Sequence, residues 1–148
     1  MTVVADRHSA GVATWNRACA LHRLLPGRGV AVLLPGGEQA ALFLLPDGKL
    51  AAVGNIDPFG RAAVMSRGIV GDRRGEPTVA SPLLKQVFSL VDGRCLDDPG
   101  GKAHRPGHAR ESHALPVYDV RVVDGYVEIR VEIRVEIRTE TSGGTANT

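Results

Sequence analysis

Three Asp-Gly pairs, Asp47-Gly48, Asp92-Gly93 and Asp124-Gly125, punctuate a chain of short apolar runs. This punctuation constrains the fold more than any other feature. Glycine enters the positive-φ region cheaply, so Asp-Gly between two apolar runs reads as a hairpin turn. The runs are Val30–Leu34, closed by Pro35-Gly36-Gly37, then Ala40–Leu45, closed by Pro46-Asp47-Gly48, then Leu50–Val53. Ile69–Val70, Thr78–Ala80 and Val87–Leu90 follow, and Tyr118–Val123 and Tyr126–Ile129 flank the last turn. No segment carries a sustained 3.6-residue apolar stripe, and Val64–Gly68 has room for one helical turn at most. The pattern predicts an all-β fold, an antiparallel sandwich or small barrel.

Length and charge narrow the class. A chain of 148 residues suits one domain with a real core. Lysine and arginine (18) nearly balance aspartate and glutamate (16), so no broad basic surface exists for a nucleic-acid backbone. No apolar run approaches the roughly 20 residues that span a bilayer. The opening MTVVADRHSAGVATW lacks an apolar export segment, so a cytoplasmic location is expected. The two cysteines, Cys19 and Cys95, suit that reducing setting and supply too few thiols for a four-thiolate site.

Three stretches fall outside the regular pattern. Residues 1–14 have no usable periodicity and read as a tail, which starts the β domain at Trp15 and ends it near residue 130. Residues 98–112 (DPGGKAHRPGHARES) have no apolar anchor and read as a surface excursion. Val127–Arg138 repeats VEIR three times. On a strand its valines and isoleucines line one face. Twelve residues at ~3.3 Å each make about 40 Å, roughly twice a usual strand. The expectation is a closing strand from Tyr126 to about Arg130. Residues 131–148 then form an extension and polar tail, with Val131–Arg138 a candidate for self-association through its open edges.

The chemistry-bearing residues are scattered. His104, His108 and His113 are spaced like metal ligands, but among Gly100, Gly101, Pro106 and Gly107 they read as a solvated basic loop. Cys19, in a first strand, reads as a small buried hydrophobe, and neither it nor Cys95 has a histidine at catalytic spacing. Pro35-Gly36-Gly37 lacks the lysine of a phosphate loop, and Ser9 and Ser66 lack a nucleophile elbow. From the residues alone, no catalytic or metal site of the chain's own is expected.

The middle of the chain nevertheless has a recognisable layout: Asn55-Ile56-Asp57-Pro58-Phe59, then SRGIVGD from Ser66, then Ser81-Pro82-Leu83-Leu84-Lys85-Gln86 ahead of a Phe88-containing strand. This resembles a Rieske domain, whose pattern is Cys-x-His followed by Cys-x-x-His. Aligned on the prolines, the four ligand positions fall on Asp57, Phe59, Ser81 and Leu84, none of which is cysteine or histidine. A [2Fe–2S] centre of this type needs two thiolates and two imidazoles. The frame is therefore expected to be a Rieske-like sandwich or small barrel without a cluster.

Together with the order NIDPF, SRGIVGD, ASPLLKQ and FSL, this layout is similar to the small-subunit family of assimilatory NAD(P)H-dependent nitrite reductases. The resemblance spans about Trp15 to Ile129. It implies a partner, a large subunit carrying FAD, an iron–sulfur cluster and sirohaem, which reduces nitrite to ammonium. This chain would then hold no cofactor itself. Within the two degenerate loops, Arg61, Arg67, Lys85 and Gln86 are the candidate partner contacts, while Pro58, Phe59, Pro82 and Leu83 are expected to fill the cluster's space. A stand-alone cluster-free binding module of another complex is the competing reading.

Overall fold

The computed structural model describes residues 11–97 and 113–134. Within them lie ten strands: β1 (Gly11–Ala20), β2 (Gly29–Leu33), β3 (Gln39–Leu44), β4 (Leu50–Gly54), β5 (Ile69–Arg73), β6 (Glu76–Ala80), β7 (Val87–Ser89), β8 (Val117–Tyr118), β9 (Val120–Val123) and β10 (Tyr126–Arg134). Met65–Arg67 forms a single 3-10 turn inside the stretch allowed one turn. The strands make three open antiparallel sheets, ordered β1-β10-β9, β2-β3-β4-β8 and β5-β6-β7. Among the described residues they do not close into a barrel, so of the two expected forms the layered one holds.

Strand β3 explains the layering. Its residues alternate between faces, as strand geometry requires. Ala40 and Leu42 pack with Leu24, Leu34, Val127, Ile129 and Val131 on one side. Ala41 and Phe43 pack with Val53, Met65, Val79 and Phe88 on the other. A strand covered on both faces reads as a continuous apolar run, as Ala40–Leu45 does. Burying Phe43 completely contributes about 2–3 kcal/mol by area transfer.

The β9–β10 hairpin turns at Asp124 (φ 51°) and Gly125 (φ 79°), the paired positive values that Asp-Gly favours. The β5–β6 hairpin uses the same geometry at Arg74 (φ 55°) and Gly75 (φ 85°), without the aspartate that flags it in sequence.

The first and last strands run further than expected. Gly11, Val12, Ala13 and Thr14 pair with Arg134, Ile133, Glu132 and Val131. Residues 11–14 are therefore strand and not tail, and the closing strand runs to Arg134 instead of stopping near Arg130. Each segment looks unsupported alone because its partner lies more than a hundred residues away. Val131 joins Val127 and Ile129 in the core, which continues the period-two burial of the repeat. His104, His108 and residues 135–148 lie outside the described residues.

Candidate functional site

Two loops carry the four residues that the resemblance aligns with cluster ligands, Asp57, Phe59, Ser81 and Leu84, and their backbones are bonded identically. In the first, following β4, the Asp57 amide donates to the Ala62 carbonyl (2.9 Å) and the Arg61 amide to the Asp57 carbonyl (2.7 Å). In the second, following β6, the Ser81 amide donates to the Gln86 carbonyl (2.9 Å) and the Lys85 amide to the Ser81 carbonyl (3.0 Å). The fifth residue of each turns left-handed, Arg61 at φ 56° and Lys85 at φ 63°. Only a small fraction of non-glycine residues adopt such angles.

The side chains join the loops. The Ser81 hydroxyl donates to Asp57 Oδ2 at 2.5 Å, while Asp57 Oδ1 accepts from the amides of Phe59 (2.8 Å) and Gly60 (3.1 Å). Both residues are buried. A buried carboxylate is tolerated only when donors surround it, and Asp57 has three. Gly60 keeps the loops close: a Cβ there would sit 2.7 Å from Leu83 Cδ1. Asn55, buried at the end of β4, braces the first loop by accepting from the Ser66 amide (2.7 Å) and donating to Gln39 Oε1 (3.0 Å).

The other two positions separate. The Phe59 ring turns inward, stacked on His113 at 4.3 Å between centroids and tilted against Phe88 at 6.1 Å. His113 is thus a half-buried packing residue and not part of a solvated loop. Its segment is held by Leu115, whose amide donates to the Gly93 carbonyl (2.8 Å). Gly93 (φ 80°) passes so near that any Cβ would overlap the Leu115 carbonyl oxygen. Leu84, by contrast, is 56% exposed and Leu83 48% exposed, and Pro82 is exposed too. Of the four expected space-fillers, Pro58 and Phe59 are half-buried, with the Phe59 ring packed against the core, while Pro82 and Leu83 are exposed at the tip. Sequence reasoning missed Asn55, His113 and the Gly93 contact; the asparagine closing an apolar run in NIDPF was the one available signal.

Of the candidate contacts, Arg61, Arg67 and Lys85 are exposed, but Gln86 is half-buried, with its amide oxygen turned inward and lacking a hydrogen-bond partner among the described residues. Burial pushes the Cys19 thiol pKa up against the pull of Arg23, the opposite of activation for nucleophilic attack.

A [2Fe–2S] cluster of the Rieske type does not fit these residues. Phe59 and Leu84 offer no lone pair, and the Asp57 and Ser81 oxygens are engaged with one another. Among the described residues, no group of three or more histidine, cysteine, aspartate or glutamate side chains is placed to hold a metal ion.

Paired loops of this kind on an antiparallel frame define a Rieske-type domain, and residues 14–130 match the family described as a Rieske-like [2Fe-2S] domain. The NADH nitrite reductase small subunit of Salmonella typhimurium is 42% identical over 117 residues, covering 78% of this chain and 96% of that one. The solution structure of Escherichia coli NirD superposes with a TM-score of 0.66 at 37% identity, covering 81% of this chain and 98% of that one. The chain belongs to the Rieske-like family, among the nitrite reductase small subunits. A further relative is instructive: 113 residues, 76% of this chain, are 42% identical to one tenth of the chain named nitrite reductase [NAD(P)H] large subunit of Klebsiella oxytoca.

Proposed function

We propose that this chain is the non-catalytic small subunit of a cytoplasmic NAD(P)H-dependent nitrite reductase. It supports a large subunit that carries FAD, an iron–sulfur cluster and sirohaem and reduces nitrite to ammonium in nitrate assimilation. The carrying observation is the double match, to free small subunits over nearly their whole length and to a segment of a large subunit. A domain that occurs both separately and fused to the same neighbour works beside that neighbour in either arrangement, and fusion only raises its effective concentration. The tip supplies the contact: exposed Leu83 and Leu84 as an apolar centre, with Arg61, Arg67 and Lys85 as cations in the same loops and the turn after the first.

The test is reconstitution. The chain alone is expected to give no NADH- or NADPH-dependent nitrite reduction and to restore turnover when added to the purified large subunit. Purified by itself it is expected to be colourless. Turnover by the lone chain, no effect of adding it, or about two irons per chain, the content of a [2Fe–2S] centre, would each overturn the reading.

A further inference from the structure

The cations of the two loops differ from those of the frame. Arg73, Arg94, Arg121 and Arg130 pair with carboxylates at 3.1, 2.9, 2.8 and 3.5 Å. Arg61, Arg67 and Lys85 are exposed and pair with none among the described residues. From Gly54 to Gly71 and from Pro77 to Val91 the sequence holds one acidic residue, Asp57, which is buried and taken up by three donors. These stretches are thus positive, with no exposed carboxylate of their own to offset them. Packing gathers the charge round the exposed leucines. Gly60 is pressed against Leu83, which puts Arg61 at the rim of the apolar tip, and Gly68 against the Ala80 carbonyl, which puts Arg67 at the root of the second loop. Lys85 follows Leu84 directly.

Two of these charges are held at a cost. Arg61 (φ 56°) and Lys85 (φ 63°) occupy the same left-handed position of the two loops. Glycine adopts such angles freely, and a residue with a Cβ does not. Loop closure alone favours glycine at both positions, so the side chains there serve something outside the loops. We infer that the tip docks on a carboxylate-bearing face of the large subunit, with Arg61, Arg67 and Lys85 steering the approach and Leu83 and Leu84 holding the contact. The occupant follows from the nitrite reductase reading, on which this inference rests: the segment of the Klebsiella oxytoca chain that matches this one is covalently joined to the rest of a large subunit. Rim charges of one sign speed encounter with a surface of the other sign, and salt removes the advantage. A desolvated apolar centre instead governs how slowly the partners separate. Arg74 (φ 55°) shares the charge and the conformation, but it lies in the β5–β6 hairpin, at the far end of those strands from Ser81.

The test is the association rate of the purified chain with the purified large subunit, followed from about 0.05 M to about 0.5 M ionic strength. The rate is expected to fall about tenfold or more across that range. Arg61→Gly and Lys85→Gly combined are expected to slow association about tenfold at low salt. The same pair is expected to keep or raise the melting temperature, because glycine relieves both left-handed positions. Arg67→Gln, outside the left-handed region, is expected to slow association about threefold, and Arg74→Gly not at all. Leu84→Ala is expected to leave the association rate alone and to speed dissociation about tenfold. An association rate indifferent to salt, or a slowing by Arg74→Gly equal to that of the tip pair, would overturn the acidic dock and leave the nitrite reductase reading standing. A melting temperature lowered by the glycine pair would overturn it as well, since those side chains would then serve the fold. Neither binding nor any gain in turnover on mixing would sink the nitrite reductase reading itself, and the acidic dock with it.

Discussion

Residues 57–62 and 81–86 are two copies of one backbone loop set in opposite surroundings. Each closes with the same pair of main-chain bonds and the same left-handed fifth residue. The first sends its third residue, Phe59, into the core beneath His113, and sinks Asp57 among three donors. The second sends its third and fourth residues, Leu83 and Leu84, toward solvent. Main-chain bonds close both loops, so the two share one shape although their side chains differ. The side chains are then free to divide the work, one loop anchoring and the other presenting a surface.

That division is open to direct attack. The largest difference is expected between Phe59→Ala and Leu84→Ala in urea unfolding. Loss of a half-buried, packed phenylalanine costs about 2 kcal/mol, whereas an exposed leucine falls within about 0.5 kcal/mol. Leu84→Ala should instead weaken assembly with the large subunit. Equal destabilisation by the two would erase the distinction between anchor and surface.

A smaller gap is expected across the Asp57–Ser81 bond. Asp57→Ala strands two amides and a hydroxyl, at about 2–3 kcal/mol, while Ser81→Ala leaves Asp57 two of its three donors and costs about 1 kcal/mol. Unfolding midpoints that rank the two the other way would make Ser81 the organising residue.

The smallest effect concerns pH and the β5-β6-β7 sheet that carries the second loop. Near its base, the Ser89 hydroxyl and the Arg94 guanidinium hold the Glu76 carboxyl below its usual range, and the Arg94 amide and guanidinium lower Asp92. Groups whose folded pKa is depressed stabilise the protein fully above the ordinary carboxylate range and lose that stabilisation as pH falls through the depressed values. Arg94→Gln should therefore lower the melting temperature modestly at neutral pH, with the gap to the unmodified chain closing below about pH 4. A gap that widens in acid would assign the bracing elsewhere.

Much of the frame was legible because its signals are local. The apolar runs at Val30, Ala40, Leu50, Thr78 and Val87 each became a strand, and Asp124-Gly125 made the hairpin its positive angles favour. The Arg74-Gly75 hairpin escaped notice because arginine carries no turn signal. At the tip, the family layout suggested Asp57, Phe59, Ser81 and Leu84 as the ligand positions, but nothing in CxH-like spacing says that Phe59 turns inward and Leu84 outward.

What the sequence by itself determined is strand identity, since alternation and turn chemistry act over a few neighbouring residues. Tertiary structure alone decided which strands share a sheet and which distant side chains meet. Gly11–Thr14 became strand only because Val131–Arg134 lies beside it, Asp57 Oδ2 gained its donor only from Ser81, and His113 found its place only on Phe59. Each of these partners is separated by 24 or more residues. No local pattern names the partner of a contact at such separation, because the complementarity lies between two surfaces that exist only after both have folded.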